Sequence, residues 1–519
     1  MNKIKPIGNK QFYFYVLLFI LFGTSLRIFL ILNSEYSIQS SYSTHAKTAL
    51  KYEWIEEVLP VQSCEWYDNK ELFDHFYKLD NKRFDYIKLY QELEISNHPP
   101  LYYIIAHFLQ SLNENGYPAY NLLHWMNLLF SMVAMVFFFM ILSELLSNRF
   151  AILIGLFWFC TSFNLSAFVL FQKAYDLQLM LSLFIVWLLI KQNKKKKLEF
   201  SDYLSYSITS LMLFLTHYLS YIFVSMLGLW ILIMNTIFKK QKEKVFRYAI
   251  STTVAILVAL ILVPFSTYDI LLHGYKTIEK TNGANISKFI EIGRHIFFNI
   301  TTWSILLTIT ISFLLNGKKS IQKHKIFTHI QNYKGFYLFV SLALICYSIL
   351  LLFSRGTNSR LRYGYIYLPY FILFAAFIMD HFKRIVSTTI ILILSCQLVF
   401  SFYYLNRAQN NKILSENVVH RWHNHSLFPQ ETQNDAIIIV TGDGSGEHLK
   451  PYVYHSNFKK IAVLTNEFCP DMFSDLRKTT VMFDLIKPSE NDKKIKEYIE
   501  GEHLHLVHET SKVKFYCLN

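Results

Sequence analysis

The sequence lacks several features that would point to a soluble enzyme or binding protein. It has no internal repeat, and its only low-complexity segment is a lysine run within 191–197. The stretch "TGDGSGEH" (441–448) lacks the glycine spacing and the following helix of a dinucleotide-binding fingerprint, so we interpret it as a loop. Three of the six cysteines lie in apolar runs, and the others leave a Cys469–Cys517 disulfide open for an oxidising compartment.

The N-terminal region also lacks the pattern of a cleaved signal peptide. Its apolar run is longer than the roughly 7–15 residues of a usual signal, and no small-x-small cleavage site follows it. We therefore expect this run to be the first transmembrane helix.

Acidic residues are too few to balance the basic ones. The chain has 51 Lys and Arg against 37 Asp and Glu, which gives a net charge of +14. In a soluble protein this excess would suggest nucleic-acid binding. Here the basic residues cluster in short segments between apolar runs, as the topology signals of membrane proteins do. We therefore predict membrane lipids as partners and no nucleic acid.

Apolar residues make up 53% of the 519 residues and form long continuous runs, for example at 12–32 and 245–265. About 20 apolar residues cross a bilayer as a helix, and only helices or closed barrels satisfy their backbone there. The sequence therefore predicts a polytopic α-helical membrane protein. Hydropathy places about eleven spans near 11–32, 120–143, 150–170, 174–191, 202–217, 218–238, 246–267, 297–316, 334–354, 362–381 and 385–405.

The basic clusters orient these spans. One cluster precedes the first span, and the others follow the fourth, sixth, eighth and tenth spans. All of them fall on one side if the N-terminus is cytoplasmic. We therefore expect a multi-pass protein of the cell (plasma or inner) membrane, in which the loop at 33–119 and the tail from 406 are extracytoplasmic.

The two large outside segments differ in their patterns. The loop at 33–119 mixes aromatic and charged residues, which is typical of short helices that lie in the membrane interface. The tail has three short β-type runs separated by turn residues, at 436–440, 461–464 and 480–483. We therefore predict a transmembrane domain over 1–405, which includes the loop, and a small extracytoplasmic α/β domain over 406–519.

Several ionisable residues lie at the predicted outer ends of spans, where burial is costly without a partner. They come from distant parts of the chain and are Arg27, Glu35, His98, Lys173, Asp176, His217 and Arg362. If the fold gathers them, they form a mainly cationic site. Such a site would bind an anion, and phosphate suits it best.

The sharpest local pattern is "NHPPLYYIIAHFL" (97–109). Pro99 and Pro100 end any preceding helix and fit the first turn of a following one. His98 would then stand at a helix N-terminus, where anions are favoured. The pattern also fits a rigid hinge at the membrane surface, with Tyr102 and Tyr103 as interfacial anchors.

The segment "HPPLYY" (98–103) after a long outside loop resembles the GT-C membrane glycosyltransferases, which include protein O-mannosyltransferases and aminoarabinose transferase. In the family's Arg-x-Tyr-x-Leu element, Lys173 stands in the arginine place, with Tyr175 and Leu177 matching. The resemblance covers about residues 20–400 in order. Its motifs are "GTSLRIFLI" (23–31), "FDYIKLYQELEISNHPPLYY" (84–103), "FQKAYDLQLMLSLF" (171–184), "FLTHYLSYIF" (214–223) and "RYGYIYLPYF" (362–371).

The resemblance implies a GT-C-like fold and a transferase that takes a sugar from a polyprenyl-phosphate donor. The acceptor would be a cell-surface glycan, lipid or protein at the outer face. A carboxylate, by position Glu35, would be the catalytic base, and cations would steady the departing lipid phosphate. The positions expected on the phosphate side are His98, Lys173, His217 and Arg362, with Arg27, Tyr175 and Tyr218 as further candidates. Some members use a divalent metal and others do not, so the resemblance requires no cofactor.

Two acids of the family pattern are missing. Members usually carry Asp-Glu just after the first span, and here Ser34 replaces the Asp while Glu35 matches the Glu. Ser96 stands two residues before the motif histidine, where an acid is common. Either Glu35 serves as the base, or an acid reaches in from the loop, namely Glu53, Asp85 or Glu94.

These departures leave two other functions open. One is a non-catalytic relative that binds a lipid phosphate or a protein partner. The other is a flippase or transporter of lipid-linked sugars, although transporters often have a repeat symmetry that this sequence lacks.

Simpler roles are also open for several polar residues. Arg27 could snorkel to the outer surface, and Asp176 could pair with Lys173 across one helical turn. His124, within the second span, is expected to bond to a neighbouring helix. The stretch "HRWHNH" (420–425) is more typical of a solvated linker than of a metal site.

Overall fold

The structure is a computed structural model that describes most of the apolar part of the chain and the strands of its C-terminal part. The described residues are 8–33, 44, 48–50, 65–68, 70–71, 78–79, 83–95, 98–113, 120–195, 197–238, 241–265, 334–353, 365–381, 436–440, 459–464, 479–484, 493–495, 497, 504–509 and 513–518. Several predictions fall outside them, namely the spans at 297–316 and 385–405, the segments at 420–425 and 441–448, Cys469 of the Cys469–Cys517 pair, Glu35, Glu53 and Arg362.

The chain folds into two compact units. The first comprises Met1–Leu32, Asn97–Tyr102 and His124–Tyr404, and the second comprises Asn33–Ser96, Tyr103–Leu123 and Leu405–Asn519.

The helices, in chain order, are α1 Asn9–Asn33, α2 Tyr86–Ile95, α3 Leu101–Ser111, α4 Tyr120–Leu145, α5 Arg149–Thr161, α6 Tyr175–Lys194, α7 Phe200–Thr216, α8 Ser220–Ile233, α9 Lys242–Leu262, α10 Lys334–Phe353 and α11 Leu368–His381. Short helical turns lie between α5 and α6 at Phe163–Ser166 and Ala167–Leu170. A π-helical turn, Met234–Phe238, extends α8, and a 3-10 turn, Tyr365–Tyr367, precedes α11.

The long apolar helices are those of a polytopic membrane protein. Five stretches of the described residues are long and apolar enough to cross a bilayer, namely Asn9–Leu32, Leu122–Leu145, Tyr175–Lys194, Ser220–Ile237 and Lys242–Leu262. Shorter apolar helices occur at Arg149–Thr161, Gly335–Tyr347 and Tyr365–Phe377. Each span that was predicted within the described residues coincides with helix over most of its length. The short turn predicted between the fifth and sixth spans is confirmed, since α7 ends at Thr216 and α8 begins at Ser220.

The predicted third span, 150–170, is not one continuous helix. Helix α5 ends at Thr161, and Ser162 takes an extended conformation with φ −60° and ψ 117°. The end of a helix frees carbonyl groups that need other donors. The carbonyl of Cys160 accepts a hydrogen bond from Arg27 instead, at 3.0 Å.

Helix α1 packs against α5 at a glycine. A Cβ atom on Gly23 would lie 2.8 Å from Cys160 Cβ and 3.1 Å from Met135 Sδ. Small residues let helix backbones approach closely in membrane proteins. Gly23 therefore permits the close contact that brings Arg27, one turn later, to the end of α5.

The second unit contains a six-stranded sheet of order β1-β3-β2-β4-β6-β5. Its strands are β1 Trp66–Asp68, β2 Ala436–Val440, β3 Lys460–Leu464, β4 Thr479–Asp484, β5 Leu504–Glu509 and β6 Val513–Leu518. Strand β2 pairs in parallel with β3 and β4, and the remaining pairs are antiparallel. The three strands predicted in the tail are confirmed, as β2, β3 and β4.

Strand β1 was not predicted, and it comes from the loop at 33–119 rather than from the tail. It pairs antiparallel with β3, with Trp66 opposite Ala462 and Asp68 opposite Lys460. Residues separated by almost 400 positions therefore belong to one sheet.

Helix α3 of the loop forms a small polar cluster with Thr48 and with the backbone of Phe84, which precedes α2. His107 Nδ1 lies 2.7 Å from the carbonyl of Thr48, and the hydroxyl of Thr48 donates to Gln110 Oε1 at 2.5 Å. The hydroxyl of Ser111 accepts from the backbone N–H of Phe84 at 3.1 Å. The imidazole of His107 is buried, and burial lowers its pKa below the ordinary value of 6.5, against a smaller opposing effect of the Thr48 carbonyl.

Candidate functional site

The side chain of Arg27 lies inside the helix bundle near the end of α1. It is 0% exposed. Its guanidinium donates to Ser131 Oγ at 2.7 Å and to the carbonyl oxygens of Gly23 and Cys160 at 2.9 and 3.0 Å. The prediction that Arg27 snorkels to the surface is therefore wrong, because α4 and α5 supply partners that hold the charge in the bundle.

Asp176, in the first turn of α6, is buried as well. The carboxylate is 0% exposed, and its Oδ1 accepts from the hydroxyl of Tyr365 at 3.0 Å. Its charge acts on that of Arg27 only at longer range than a hydrogen bond or an ion pair. We call Arg27, Ser131, Asp176 and Tyr365 the arginine cluster. The prediction that Asp176 pairs with Lys173 across one helical turn stays a prediction, and the contact that the structure shows for this carboxylate is the one with Tyr365.

A polar stripe on α4 faces this cluster. His124, Asn127 and Ser131 recur at helical spacing, so they lie on one face. Their partners are the carbonyl of Val169 at 3.4 Å, the carbonyl of Phe171 at 2.7 Å and the guanidinium of Arg27 at 2.7 Å. The prediction that His124 bonds to a neighbouring segment is confirmed.

The stripe connects the HPPLYY segment with the turn that carries Lys173. The hydroxyl of Tyr102 donates to Asn127 Oδ1 at 3.1 Å, and Asn127 Nδ2 donates to the carbonyl of Phe171 at 2.7 Å. The N–H of Lys173 donates to that same carbonyl at 2.7 Å, and the N–H of Tyr175 donates to the carbonyl of Lys173 at 2.8 Å. Residues 171–175, which we call the lysine turn, are thus fixed by their own backbone and by Asn127.

His217 lies against the lysine turn. It is the C-cap residue of α7, in an extended conformation. Its ring is 5.7 Å from that of Tyr175 and 4.4 Å from that of Tyr218. Its Nδ1 accepts the N–H of Leu219 at 3.1 Å, which leaves Nε2 as the donor of the neutral ring. Lys173 is near enough for its charge to act on His217.

The structure thus brings several predicted site residues together in the first unit. Arg27, Lys173, Tyr175 and His217 all contact or interact with residues of this network. Tyr218 stacks beside His217 and is 36% exposed. His98 is half-buried just before α3. That helix begins at Leu101, one residue after the prolines, so they precede the first turn rather than occupy it.

Sequence reasoning missed Asn127, Ser131 and Tyr365. Asn127 and Ser131 could have been identified from the sequence, because they share a helix face with His124 in an otherwise apolar span. Tyr365 gave none, since a tyrosine among the apolar and aromatic residues of 362–371 reads as packing or interface.

The described side chains hold cations and aromatic rings rather than a metal-binding set. Among the residues that the structure describes, no three His, Cys, Asp or Glu side chains come together. The ammonium of Lys173 and the Nε2–H of His217 are both hydrogen-bond donors, and such donors suit an anionic ligand. The arrangement is suited to holding a phosphate group beside aromatic surfaces.

No protein-family model and no curated protein matches the chain. Its structure is similar to crystal structures of ArnT from Cupriavidus metallidurans, in the apo state and bound to undecaprenyl phosphate. Each has 10% sequence identity and a TM-score of 0.42, and the matches cover 90% and 94% of this chain and 95% and 97% of those chains. It is also similar to an Archaeoglobus fulgidus oligosaccharyltransferase in complex with Zn and sulfate, with 10% identity, a TM-score of 0.45, and coverage of 91% of this chain and 68% of that one. Both are glycosyltransferases of the GT-C fold.

Proposed function

We propose that this chain is a GT-C-type membrane glycosyltransferase that moves a sugar from a polyprenyl-phosphate donor to an acceptor. The observation that carries the proposal is the meeting of the motif segments in one network. Arg27 of the first span, Tyr102 of HPPLYY, the lysine turn, His217 and Tyr365 are joined by hydrogen bonds, ring contacts and charge interactions. Segments so far apart in sequence have little reason to share polar contacts inside a membrane unless they form a site.

Phosphate recognition follows from the charges. The groups proposed to meet a ligand are the Lys173 ammonium, which is a cation, and the Nε2–H of His217, whose ring is neutral because its Nδ1 accepts the N–H of Leu219. A lipid phosphate between Lys173 and His217 would accept one hydrogen bond from the Lys173 ammonium and another from the His217 Nε2–H.

The reaction would be a displacement at the anomeric carbon. The acceptor hydroxyl oxygen forms the new bond to that carbon, the bond to the phosphate oxygen breaks, and the lipid phosphate leaves with the electron pair. The hydroxyl proton passes to a carboxylate, for which we propose Glu35 on the basis of the resemblance. The Lys173 ammonium and the His217 Nε2–H, with His98 and Arg362 proposed from their motifs, would stabilise the departing phosphate.

The pairing of β1 with β3 supports the proposed topology. Two strands of one sheet must lie on the same side of the membrane, so an even number of spans separates Asp68 from Lys460. Ten of the eleven predicted spans fall between them, which meets this condition. We therefore propose that the loop and the tail are both extracytoplasmic, as the basic clusters indicate.

The experiment that tests the proposal is a transfer assay with the full chain in lipid nanodiscs. Polyprenyl-phosphate hexose and pentose donors are supplied with cell-envelope glycans, lipids or proteins, and acceptor-dependent release of polyprenyl phosphate is measured with and without EDTA. Lys173→Met and His217→Ala should each lower transfer by roughly 10²-fold or more, the typical effect of losing a charge-stabilising donor.

A matched control lies on the same helix. Lys191, near the far end of α6, pairs with Glu144 at 2.8 Å, so Lys191→Met removes a lysine without touching the network. Equal losses in Lys173→Met and Lys191→Met would contradict the assigned role. An unchanged rate in Glu35→Gln would remove Glu35 as the base.

A second function is favoured by one observation, the serines Ser34 and Ser96 at positions where the family usually has acids. A relative without those acids could keep the lipid-phosphate site and use its extracytoplasmic unit to bind a partner. Saturable binding of a polyprenyl phosphate with no transfer to any acceptor would support it. Movement of the lipid-linked sugar across liposomes would support a flippase instead.

A further inference from the structure

We propose that Asp176 is a positioning residue of the transferase site, which acts through the hydroxyl of Tyr365 and the charge of Arg27 to fix the lysine turn. This inference rests on the proposed function and extends it to a residue that does not contact the substrate. The juxtaposition behind it is that of one buried carboxylate with a tyrosine and an arginine from two other segments.

Asp176 stands between the segments that carry the proposed phosphate contacts. It follows Lys173 by three residues, and Tyr365 follows Arg362 by three residues. A hydrogen bond of 3.0 Å joins the first two segments. The Asp176 carboxylate thus fixes the distance between two segments that are proposed to bind the same lipid phosphate.

Aromatic packing restricts the movement of Tyr365, which donates the hydrogen bond to Asp176. The ring of Tyr365 lies 4.0 Å from that of Phe168, and the ring of Phe168 lies 5.5 Å from that of Tyr175. Tyr175 in turn faces His217. A shift of the Tyr365 hydroxyl would therefore be passed along rings to both sides of the lysine turn, since close-packed side chains transmit displacement.

Stability alone does not account for the charges. Burying a carboxylate and a guanidinium costs several kcal/mol for each ion, and apolar residues often hold helices together as well. Moreover, Asp176 Oδ2 and Arg27 Nη2 are buried without a hydrogen-bond partner among the described residues. Charged residues within membrane spans are rare and usually have a function. The burial of Asp176 and Arg27 at this cost therefore indicates a functional role.

A merely structural contact between the same two segments serves as the control. Tyr370, on α11, is also buried, and its hydroxyl donates to the carbonyl of Ser182 on α6 at 3.1 Å. Tyr365→Phe and Tyr370→Phe thus each delete one buried hydroxyl that bonds to α6, one next to the lysine turn and one farther along the helix.

The experiment measures steady-state transfer in nanodiscs for wild type, Tyr365→Phe, Asp176→Asn and Tyr370→Phe. Partial misfolding lowers the active fraction and hence kcat, but it leaves the KM of the remaining enzyme unchanged. We expect Tyr365→Phe and Asp176→Asn to raise the donor KM and to lower kcat/KM for the donor by roughly 10–100-fold, as a misplaced binding group does. The acceptor KM should stay the same, and Tyr370→Phe should keep the wild-type donor KM.

Three results would decide against the inference. A donor KM in Tyr365→Phe equal to that in Tyr370→Phe overturns it while the proposed function stands. The same holds if the double variant Asp176→Asn/Tyr365→Phe shows the product of the two single effects, because residues that act as a unit are not additive. Absence of both transfer and polyprenyl-phosphate binding in the wild type removes the proposed function, and this inference with it.

Discussion

At the scale of single residues, Arg27 shows how a membrane bundle accommodates a buried charge. Three hydrogen bonds from Nε and Nη1 replace part of the water that the guanidinium loses, whereas Nη2 is buried without a partner among the described residues. Buried charges persist only when they are paired and hydrogen-bonded. Removing Arg27 or one of its partners therefore lowers the free energy of unfolding, because the group that remains is buried without its partner.

Arg27→Met should lower the thermal unfolding temperature in detergent markedly, because it removes buried hydrogen bonds to Ser131 and to the carbonyl oxygens of Gly23 and Cys160. Each buried polar group that is left unsatisfied costs about 1–3 kcal/mol. Arg149→Met is the control, since Arg149 is half-buried and bonds to Asn9 near the start of α1. An unfolding temperature of Arg27→Met as high as that of Arg149→Met would contradict these buried contacts of Arg27.

The pH dependence of the loop helices should follow His107. Burial holds its pKa below the ordinary value of 6.5, so the unfolded segment binds a proton more readily than the folded one. This stabilisation is complete above the unfolded pKa and is lost as the pH falls through 6.5 toward the lower folded value. Hydrogen exchange in α2 and α3 should therefore speed up between pH 7.5 and about pH 5.

A variant that cannot titrate supplies the control. In His107→Gln the exchange rates, corrected for intrinsic chemistry, should lose this extra dependence on pH. An equal acid response in wild type and His107→Gln would show that another group is responsible.

Residue-level pairings were the least predictable from sequence. The sequence marked Lys173, His217 and Arg27 as unusual, because charges near apolar runs are visible in one dimension. The partner of Arg27 was not visible, because Ser131 and Asp176 are 104 and 149 positions away. Only the three-dimensional approach of α1 to α4 and α6 decides that a long cation turns inward rather than toward the surface.

At the scale of elements, apolar length predicted helices well and helix breaks poorly. The spans follow from hydropathy because a helix needs a fixed length to cross lipid. The end of α5 at Thr161 does not, because "CTSFNLS" (160–166) contains no proline, glycine or charged residue that would mark a helix end. Likewise β1 is too short, at three residues, for an alternating pattern to show.

The contact of α1 with α5 should be sensitive to volume at Gly23. In Gly23→Ala the new Cβ would lie 2.8 Å from Cys160 Cβ, closer than atoms tolerate, so α1 must shift. Overpacking of this kind costs about 1–3 kcal/mol. We expect a lower unfolding temperature. Because Arg27 is displaced, we also expect a higher KM for the donor.

Gly228 is the matched helical glycine. A Cβ there meets nothing within 4 Å. Gly228→Ala should be neutral or stabilise by about 0.4–1 kcal/mol through the unfolded chain. If Gly23→Ala were as stable as Gly228→Ala, the close approach of α1 and α5 would be wrong.

At the scale of the whole molecule, the loop and the tail share one sheet. Cysteines placed at opposite positions of β1 and β3, Asp68→Cys with Lys460→Cys, should form a disulfide on mild oxidation in a background that lacks the native cysteines. Asp68→Cys with Thr479→Cys should not, because β3 and β2 lie between β1 and β4. The disulfide is detected by gel mobility after limited proteolysis, because crosslinked fragments migrate together. Crosslinking of the second pair, or of neither pair, would contradict the strand order.

The account as a whole depends on a lipid phosphate held by Lys173 and His217. Its most direct test is the shift in unfolding temperature of the full chain on adding a polyprenyl phosphate, with the corresponding polyprenol as the phosphate-free control. A ligand at 100 times its Kd stabilises the folded state by about 2.7 kcal/mol. We predict a clear shift for wild type and for Lys191→Met with the phosphate alone, and no shift for Lys173→Met/His217→Ala. Equal shifts with polyprenol, or an undiminished shift in the double variant, would contradict the account.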